Sequence, residues 1–448
     1  MTRRDALTTG LGIGFPMIVP SSVFGANAPS NRVIVGAIGA GRISRSHDMK
    51  EIHRHADAHI VAVCDVDTHR LGAAQQLVDD RYSESSGKPY SGTRGYTDYR
   101  ELLAAKDIDA VLISTPDHQH SPMAVHAVQA GKHVYLQKPA SLTIAEGRRM
   151  ADAVAKSGKI VQIGSQQRGQ DPWPQFHRAC ELVRNGRVGK LVHVEIGLPG
   201  DPSGPEAAAM PIPRNLDYDA WLGTTPEVYY TEIRVHPQAS FEDRPGWLRC
   251  EQFGAGMITG WGSHHVDIAH WGMDMEHSGP VEIWGSAEFP KSGLWDVHGA
   301  FETHSRYANG VTMTISGALP NGVKFIGDKG WVFATRTGQV SASDPSKPSD
   351  VPMLASDPKI LDSVIGPDEI QLYKAPEQHR NWLDAILKGV PVSAPAEIGH
   401  RACSTCLLHW TAMKTGRRLH WDPVAERFIG DEQANAMLSR PQRAKYAI

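Results

Sequence analysis

Cysteine is scarce, with five in 448 residues at positions 64, 180, 250, 403 and 406. A chain of this length held by disulfides would need more of them, closer together, so a disulfide framework is excluded. Cys403 and Cys406 form a CxxC inside a helical pattern, and no second pair completes a zinc set. Both are read as small buried hydrophobes. Excess charge of one sign is also missing, since 46 Lys and Arg face 49 Asp and Glu, a formal net charge of −3. A nucleic-acid binder needs a basic block to displace counterions from phosphate, and the chain has none. Repeats and low-complexity tracts are absent too. What remains is an ordinary globular composition, 41 % hydrophobic and 21 % charged. At roughly 150 residues per domain the length suggests two or three domains.

The N-terminus reads as an address. Arg3 and Arg4 precede an apolar stretch from Ala6 to Pro20, and Ala26-Asn27-Ala28 offers a small-x-small cleavage site. These are the parts of a twin-arginine export signal over residues 1–28. The apolar stretch is shorter than the roughly 20 residues of a spanning helix, and Gly10, Gly12, Gly14 and Pro16 break it. The expectation is an exported, periplasmic protein with no stable membrane insertion once the signal is removed. Because that route carries folded proteins, a cofactor could travel inside.

From Asn31 the pattern is strand, glycine turn, helix. Val33-Ile34-Val35-Gly36-Ala37-Ile38 is a buried-strand run, followed by Gly39-Ala40-Gly41-Arg42-Ile43-Ser44 and a helical stretch to His55. Gly39 permits a tight turn, and Gly41 lets the backbone approach a pyrophosphate at the helix N-terminus, with Arg42 and Ile43 in the same turn. Ser44 stands where Gly or Ala is usual but is small enough for close helix packing. The next strand, His59 to Cys64, ends at Asp65, which is placed to accept from a ribose diol and to repel a 2′-phosphate. NAD is therefore the expected cofactor; nearby His69 and Arg70 keep NADP open.

The alternation continues with helices at Tyr99–Ala105, Pro122–Ala130 and Thr143–Ser157, and strands at Ala110–Ser114, His133–Leu136 and Ile160–Gly164. Such alternation means a parallel sheet that binds ligands beyond the carboxyl ends of its strands. Two segments lie at those ends. Thr115-Pro116-Asp117-His118-Gln119-His120 brings Thr115, Pro116, His118 and His120 toward the nucleotide, although His118 serves equally well as a cap of the next helix. Gln137-Lys138-Pro139 puts Gln137 beside the cofactor and an ammonium, Lys138, at the mouth of the crevice.

The succession GAIGAGRIS, CDVD, STPDHQH and QKPASLT resembles the Gfo/Idh/MocA oxidoreductases over nearly all of the mature chain. The resemblance implies an α/β protein, with an N-terminal Rossmann dinucleotide-binding domain followed by an α+β domain whose open, largely antiparallel sheet makes oligomer contacts. A homodimer or homotetramer is therefore expected. It also implies oxidation or reduction of secondary hydroxyls of sugars, glycosides or cyclitols. Gln137-Lys138-Pro139 matches the family's Glu-Lys-Pro, which gives Lys138 the role of the lysine near nicotinamide and substrate. Gln137 replaces the acid, removing a negative charge that would raise the lysine pKa.

Past Gly164, Leu198 to Arg249 is Pro-rich and irregular, and it carries Trp221, Tyr229, Tyr230, Arg234, His236, Arg244 and Trp247. Long loops inside domains are usually functional. Aromatic faces stack on sugars while Arg and His donate to hydroxyls, so this is read as a pocket wall or a subunit contact. A glycine-rich entry then leads to Trp261-Gly262-Ser263-His264-His265-Val266-Asp267. His264 matches the family's catalytic histidine, and Gly260 stands at its usual Asp. Asp267, one helical turn on, is a candidate to orient the His264 ring. His264 and Asp267 share a helix face, but His270 is six residues from His264 and off that face, so no metal is expected. Later strands at Val281–Phe289, Ala300–Tyr307, Val311–Ser316, Val323–Ile326 and Trp331–Ala334 precede helices at Gln378–Leu387 and Gly399–Lys414.

The expected domains are 31–165 for the nucleotide, 166–430 for substrate and oligomer contacts, and a tail at 431–448. The expected activity is hydride transfer between a sugar-type hydroxyl and tightly held NAD. His264 is the base and Lys138 the donor to the developing alkoxide, with exchange of these roles open. Arg234, His236, Trp261, His264, His265 and Lys138 would contact a small carbohydrate substrate. Alternatives are an NAD-dependent glycoside hydrolase working through transient oxidation, and a non-catalytic sugar-binding protein of the same fold.

Overall fold

The computed structural model describes residues 32–337 and 351–448, so the expected export signal lies outside the described residues. Six short strands, β1 (Val33–Ile38), β2 (Ala58–Cys64), β3 (Arg94–Tyr96), β4 (Ala110–Ile113), β5 (His133–Leu136) and β6 (Val161–Ile163), make one sheet in the order β3-β2-β1-β4-β5-β6. Every pairing in it is parallel. All four residues of β4 are buried, as befits a strand covered by helices on both faces. The chain order reverses between β1 and β4, and that switch point opens a crevice at the carboxyl ends of the strands.

Helix boundaries follow their caps. Asp67 accepts from the N–H groups of His69 and Arg70 to start the helix Thr68–Ser86, and Thr143 accepts from Glu146 N–H to start Ile144–Ser157. The helix expected from Pro122 begins earlier. It runs Asp117–Gln129 directly after Pro116, whose fixed φ of −61° leads the chain from β4 into the first turn. Asp117, His118, Gln119 and His120 therefore belong to a helix N-terminus and not to a loop.

The second sheet has nine strands. They are β7 (Leu191–Gly197), β8 (Glu282–Ala287), β9 (Phe301–Arg306), β10 (Thr312–Ser316), β11 (Gly322–Gly327), β12 (Trp331–Ala334), β13 (Met353–Ala355), β14 (Leu419–Asp422) and β15 (Arg427–Phe428), in the order β13-β12-β11-β7-β10-β9-β8-β14-β15. The β7/β10 pair is parallel and the others are antiparallel, so the sheet is largely antiparallel as the resemblance implied. Strand β9 alternates buried and exposed positions, the mark of a sheet with one covered face. The helices Pro174–Arg184, Gly262–Met273 and Ala396–Thr415 cover that face over a core that includes Val194, Ile196, Met313, Ile315 and Phe325. Close approach at Gly272 explains the fit, since a methyl group there would lie 2.5 Å from the Phe325 ring.

Late segments return to the first sheet. Trp382 and Leu383, on the helix Gln378–Lys388, pack in one apolar cluster with Val35, Ile60, Leu112 and Tyr135. The core of the first sheet thus takes in Trp382 and Leu383, which come late in the chain. Cys403 and Cys406 are free and buried. Among the described residues no helix is long and apolar enough to cross a membrane.

Candidate active site

A cavity of about 380 Å³ lies at the carboxyl ends of β1, β2, β4 and β5 and is lined on its other side by the second domain. The glycine turn forms its floor. Gly39 has φ +87°, and a Cβ there would sit 2.8 Å from the Ser114 carbonyl oxygen, so the turn tolerates no side chain. Ala40 N–H donates to Asp65 Oδ2 at 2.7 Å and Asp67 N–H donates to Asp65 Oδ1 at 2.8 Å, which ties the acid to the turn. Burial raises the Asp65 carboxyl above its ordinary range despite these bonds. Gly41 is different, because a Cβ there meets nothing within 4 Å and would project into open space. This is room a dinucleotide backbone could fill. Asp65 follows β2 and Lys138 follows β5, about 14 Å apart at three strand spacings, so the acid and the ammonium flank the switch point as a bound dinucleotide requires.

The two glycines separate stability from binding. Gly39→Val should cost about 1–3 kcal/mol through left-handed strain and overlap with Ser114. Gly41→Val should leave thermal unfolding unchanged while NAD no longer co-purifies. Thermal melts and nucleotide content after gel filtration measure both.

At the other end, Lys138 Nζ donates to the Gly260 carbonyl at 3.0 Å. The position where the resemblance expects an acid thus offers a backbone oxygen instead. Burial lowers the Lys138 ammonium to about 8, opposed by Asp117 and assisted by Arg244, Arg336 and Arg42. Burial likewise pushes Asp117, in the first turn after Pro116, up to about 7. His264 is buried, and burial, then Arg336 and Lys138, hold its imidazole well below the usual histidine value. Its Nδ1 has no hydrogen-bond partner among the described residues. The Trp261 ring stands edge-on to it at 5.9 Å.

Gly39, Gly41, Arg42, Ile43, Asp65, Thr115, Pro116, His120, Gln137, Lys138, His236, Trp261 and His264 all line this one cavity. Three expected site residues do not. His118 is buried against Phe253 and Trp221, with Nε2 bonded to the Trp221 carbonyl at 2.8 Å, so it anchors the irregular segment. His265 stacks on Trp261 at 5.5 Å, accepts from Gln167 and donates to Asn321, which makes it support for the helix. Arg234 donates to the Tyr229 carbonyl and lies 4.4 Å over the Tyr229 ring. His236 reaches the wall but is bonded to Asp67 at 2.9 Å.

Asp267 does not orient His264. Its carboxylate takes two hydrogen bonds from Arg168, at 2.6 and 2.8 Å, in a fully buried pair. His270 bonds to the Tyr307 hydroxyl at 2.8 Å, so the His264, Asp267 and His270 side chains form no metal set. The nearest approach to one among the described residues is His47, Asp48 and His379, with ligand atoms within 4.8 Å. Although burial opposes it, Glu377 and Asp48 raise His379 to about 10, and its ring lies between the two carboxylates, 2.7 Å from Glu377 and 3.3 Å from Asp48.

The charge expected to be missing at Gln137 is not far away. The Gln137 amide donates to both oxygens of Asp48, at 2.8 and 3.1 Å, and Ser114 donates to the same carboxylate at 2.6 Å. A buried anion therefore stands one residue behind the lysine. The sequence reading also missed Trp173 and Arg336, which reach the cavity from the second domain. Arg336 lies two residues after β12, and no motif marks it.

Comparisons with known proteins agree with this geometry. Residues 33–165 match the model of an oxidoreductase family with an NAD-binding Rossmann fold, and residues 203–353 and 359–448 match that family's C-terminal alpha/beta domain. An uncharacterized oxidoreductase, YrbE of Bacillus subtilis strain 168, is 30% identical over 189 residues, 42% of this chain and 48% of that protein. A glycosyl hydrolase family 109 protein of Shewanella baltica strain OS155 is 32% identical over 176 residues, 39% of this chain and 37% of that protein. The chain thus spans less than half the length of these curated relatives. Among solved structures, the WlbA dehydrogenase of Bordetella pertussis, in complex with NADH and UDP-GlcNAcA, superposes with a TM-score of 0.58 at 18% identity, covering 87% of this chain and 99% of that one. At that identity the likeness is one of fold.

Proposed function

This chain belongs to the Gfo/Idh/MocA family of oxidoreductases, and from that premise we propose that it moves a hydride between a ring hydroxyl of a sugar, glycoside or cyclitol and a firmly held NAD. The observation that carries the reading is the meeting of Lys138 and His264 at one end of a cavity whose other end is the Asp65 glycine turn. Bound NAD supplies the hydride acceptor. Asp65 and the open space at Gly41 favour NAD. Arg70, which could otherwise read a 2′-phosphate, is engaged with the carbonyls of Pro237 and Ser240 at 3.0 and 3.3 Å.

The electrostatics favour exchanging the two catalytic roles. An imidazole held well below its ordinary value is a weak base, whereas an amine near 8 is matched to neutral pH. Lys138 therefore takes the hydroxyl proton, and His264 stays neutral and holds the same hydroxyl in place. The sign of the pH dependence follows. Oxidation needs the unprotonated amine, so its kcat/KM should rise with pH and level off above about 8, while carbonyl reduction should fall through the same range. A pH profile of both directions on the NAD-loaded protein checks this. An oxidation rate that falls above 8 would return Lys138 to the role of cationic donor.

The family 109 relative supports a second outcome at the same site, in which oxidation precedes loss of an aglycone and reduction restores the product. Release of aglycone from a glycoside without net NADH distinguishes it. Export by the twin-arginine route would suit either outcome, because a cofactor loaded before export has to stay bound. Nucleotide retained by protein from the periplasmic fraction tests this. A homodimer or homotetramer through the open face of the nine-stranded sheet completes the proposal, with sedimentation as its test.

A further inference from the structure

Arg336 enters the cavity from the second domain, 3.8 Å over the Trp173 ring and 4.9 Å over that of Trp261, the ring that also borders His264. Its Nε and Nη2 are buried and have no hydrogen-bond partner among the described residues. Burial pulls the guanidinium down to about 9, and among the described residues no carboxylate offsets that effect. Arg168, a buried arginine at the domain junction, is bonded by contrast to two carboxylates, Asp267 and Glu276. A desolvated guanidinium without a counter-ion is costly, and ring faces return only part of the cost.

The side chains lining the cavity carry more positive than negative groups, Arg42, Arg70, Lys138, Arg244 and Arg336 against Asp65, Asp117 and Asp243, although Arg244 has a partner of its own. The cofactor's phosphates would sit at the glycine turn, beside Arg42, and would leave the Arg336 end uncompensated. A neutral sugar offers hydroxyls there but no charge. A planar guanidinium pinned against indole rings is instead suited to a fork of two hydrogen bonds to an oxyanion.

We infer that the substrate is an acidic sugar whose oxyanion, a carboxylate or a sulfate ester, is held by Arg336 while a ring hydroxyl lies between Lys138 and His264. This rests on the proposed sugar-oxidising function and narrows its substrate class. Arg336 holds the oxyanion and neither gives nor takes the proton or hydride, although its charge also helps to lower Lys138 and His264.

The test uses the NAD-loaded protein with matched probes, D-glucose against D-glucuronate and glucose 6-sulfate, and D-galactose against D-galacturonate. Binding is read by tryptophan fluorescence, since Trp173 and Trp261 lie beside the guanidinium, and turnover by nicotinamide reduction. At least one acidic probe should bind about 10–100-fold more tightly than its neutral partner, the range of a charge-assisted pair. Arg336→Gln should erase that preference while leaving NAD content and the weaker neutral binding unchanged, and Arg336→Lys should restore part of it. Glucuronate and the sulfate ester tell carboxylate from sulfate. Equal binding of acid and neutral partners, or an equal loss of both in Arg336→Gln, overturns the inference and leaves the oxidoreductase reading intact. Protein that keeps no NAD, or binds no probe of either kind, overturns both.

Discussion

Lys138→Met is expected to lower sugar oxidation by about 10²–10⁴-fold, the range of a lost general acid–base, with NAD still bound. Methionine keeps most of the side-chain volume at a buried position and removes the amine that donates to the Gly260 carbonyl. The fold should therefore survive, and Asp117, already pushed toward its protonated form by burial, should simply become neutral. His264→Gln should cost less, because it removes an orienting contact but not the proton acceptor. Single-turnover hydride transfer on NAD-loaded protein separates the two. Near-normal rates in Lys138→Met would mean that the proton leaves through another group, and the pH profile would then have to be assigned afresh.

The second large effect is structural. Arg168→Met is expected to cost about 3–5 kcal/mol of stability, since it strands the Asp267 carboxylate in the interior. Arg168 and Asp267 are 2% and 1% exposed, and Glu276 also bonds Arg168 at 2.7 Å. The arginine lies 4.8 Å over the Trp271 ring as well, so it fixes the helix Gly262–Met273 against the segment that follows β6. Adding Asp267→Leu to Arg168→Met should recover much of the loss, because two apolar residues leave no charge uncompensated. Urea midpoints of the single and double variants measure this. If Asp267 instead served His264, Asp267→Leu would suppress turnover without the arginine's influence, and a double variant of restored stability would remain inactive for that reason.

The nucleotide half of the fold was legible because its physics is local. Short apolar runs bounded by Gly39, Asp65 and Pro116 leave little choice but buried parallel strands with turns at their ends. That Lys138 and His264 would line one crevice was legible through motif order alone, as nothing in a lone Lys-Pro or His-His demands it. Where sequence reasoning missed, the deciding partner lay far along the chain. Asp267 is claimed by Arg168, Gln137 by Asp48, and His118 by the Trp221 carbonyl, pairs separated by 99, 89 and 103 positions. Spacing within one helix puts Asp267 near His264 but cannot weigh a guanidinium from another element. Arg336 was invisible for a related reason, since its meaning comes from having no carboxylate among the described residues, and a missing neighbour leaves no pattern in a sequence.

The wedge of Trp382 and Leu383 against Tyr135 bears on how the protein is made. A ribosome that has emitted the whole glycine-turn region still holds back the side chains that seal its sheet, and these emerge only when most of the polypeptide has been synthesised. A fragment cut after Gly164 would therefore lack Trp382 and Leu383 and leave the apolar flank around Tyr135 without the residues that cover it.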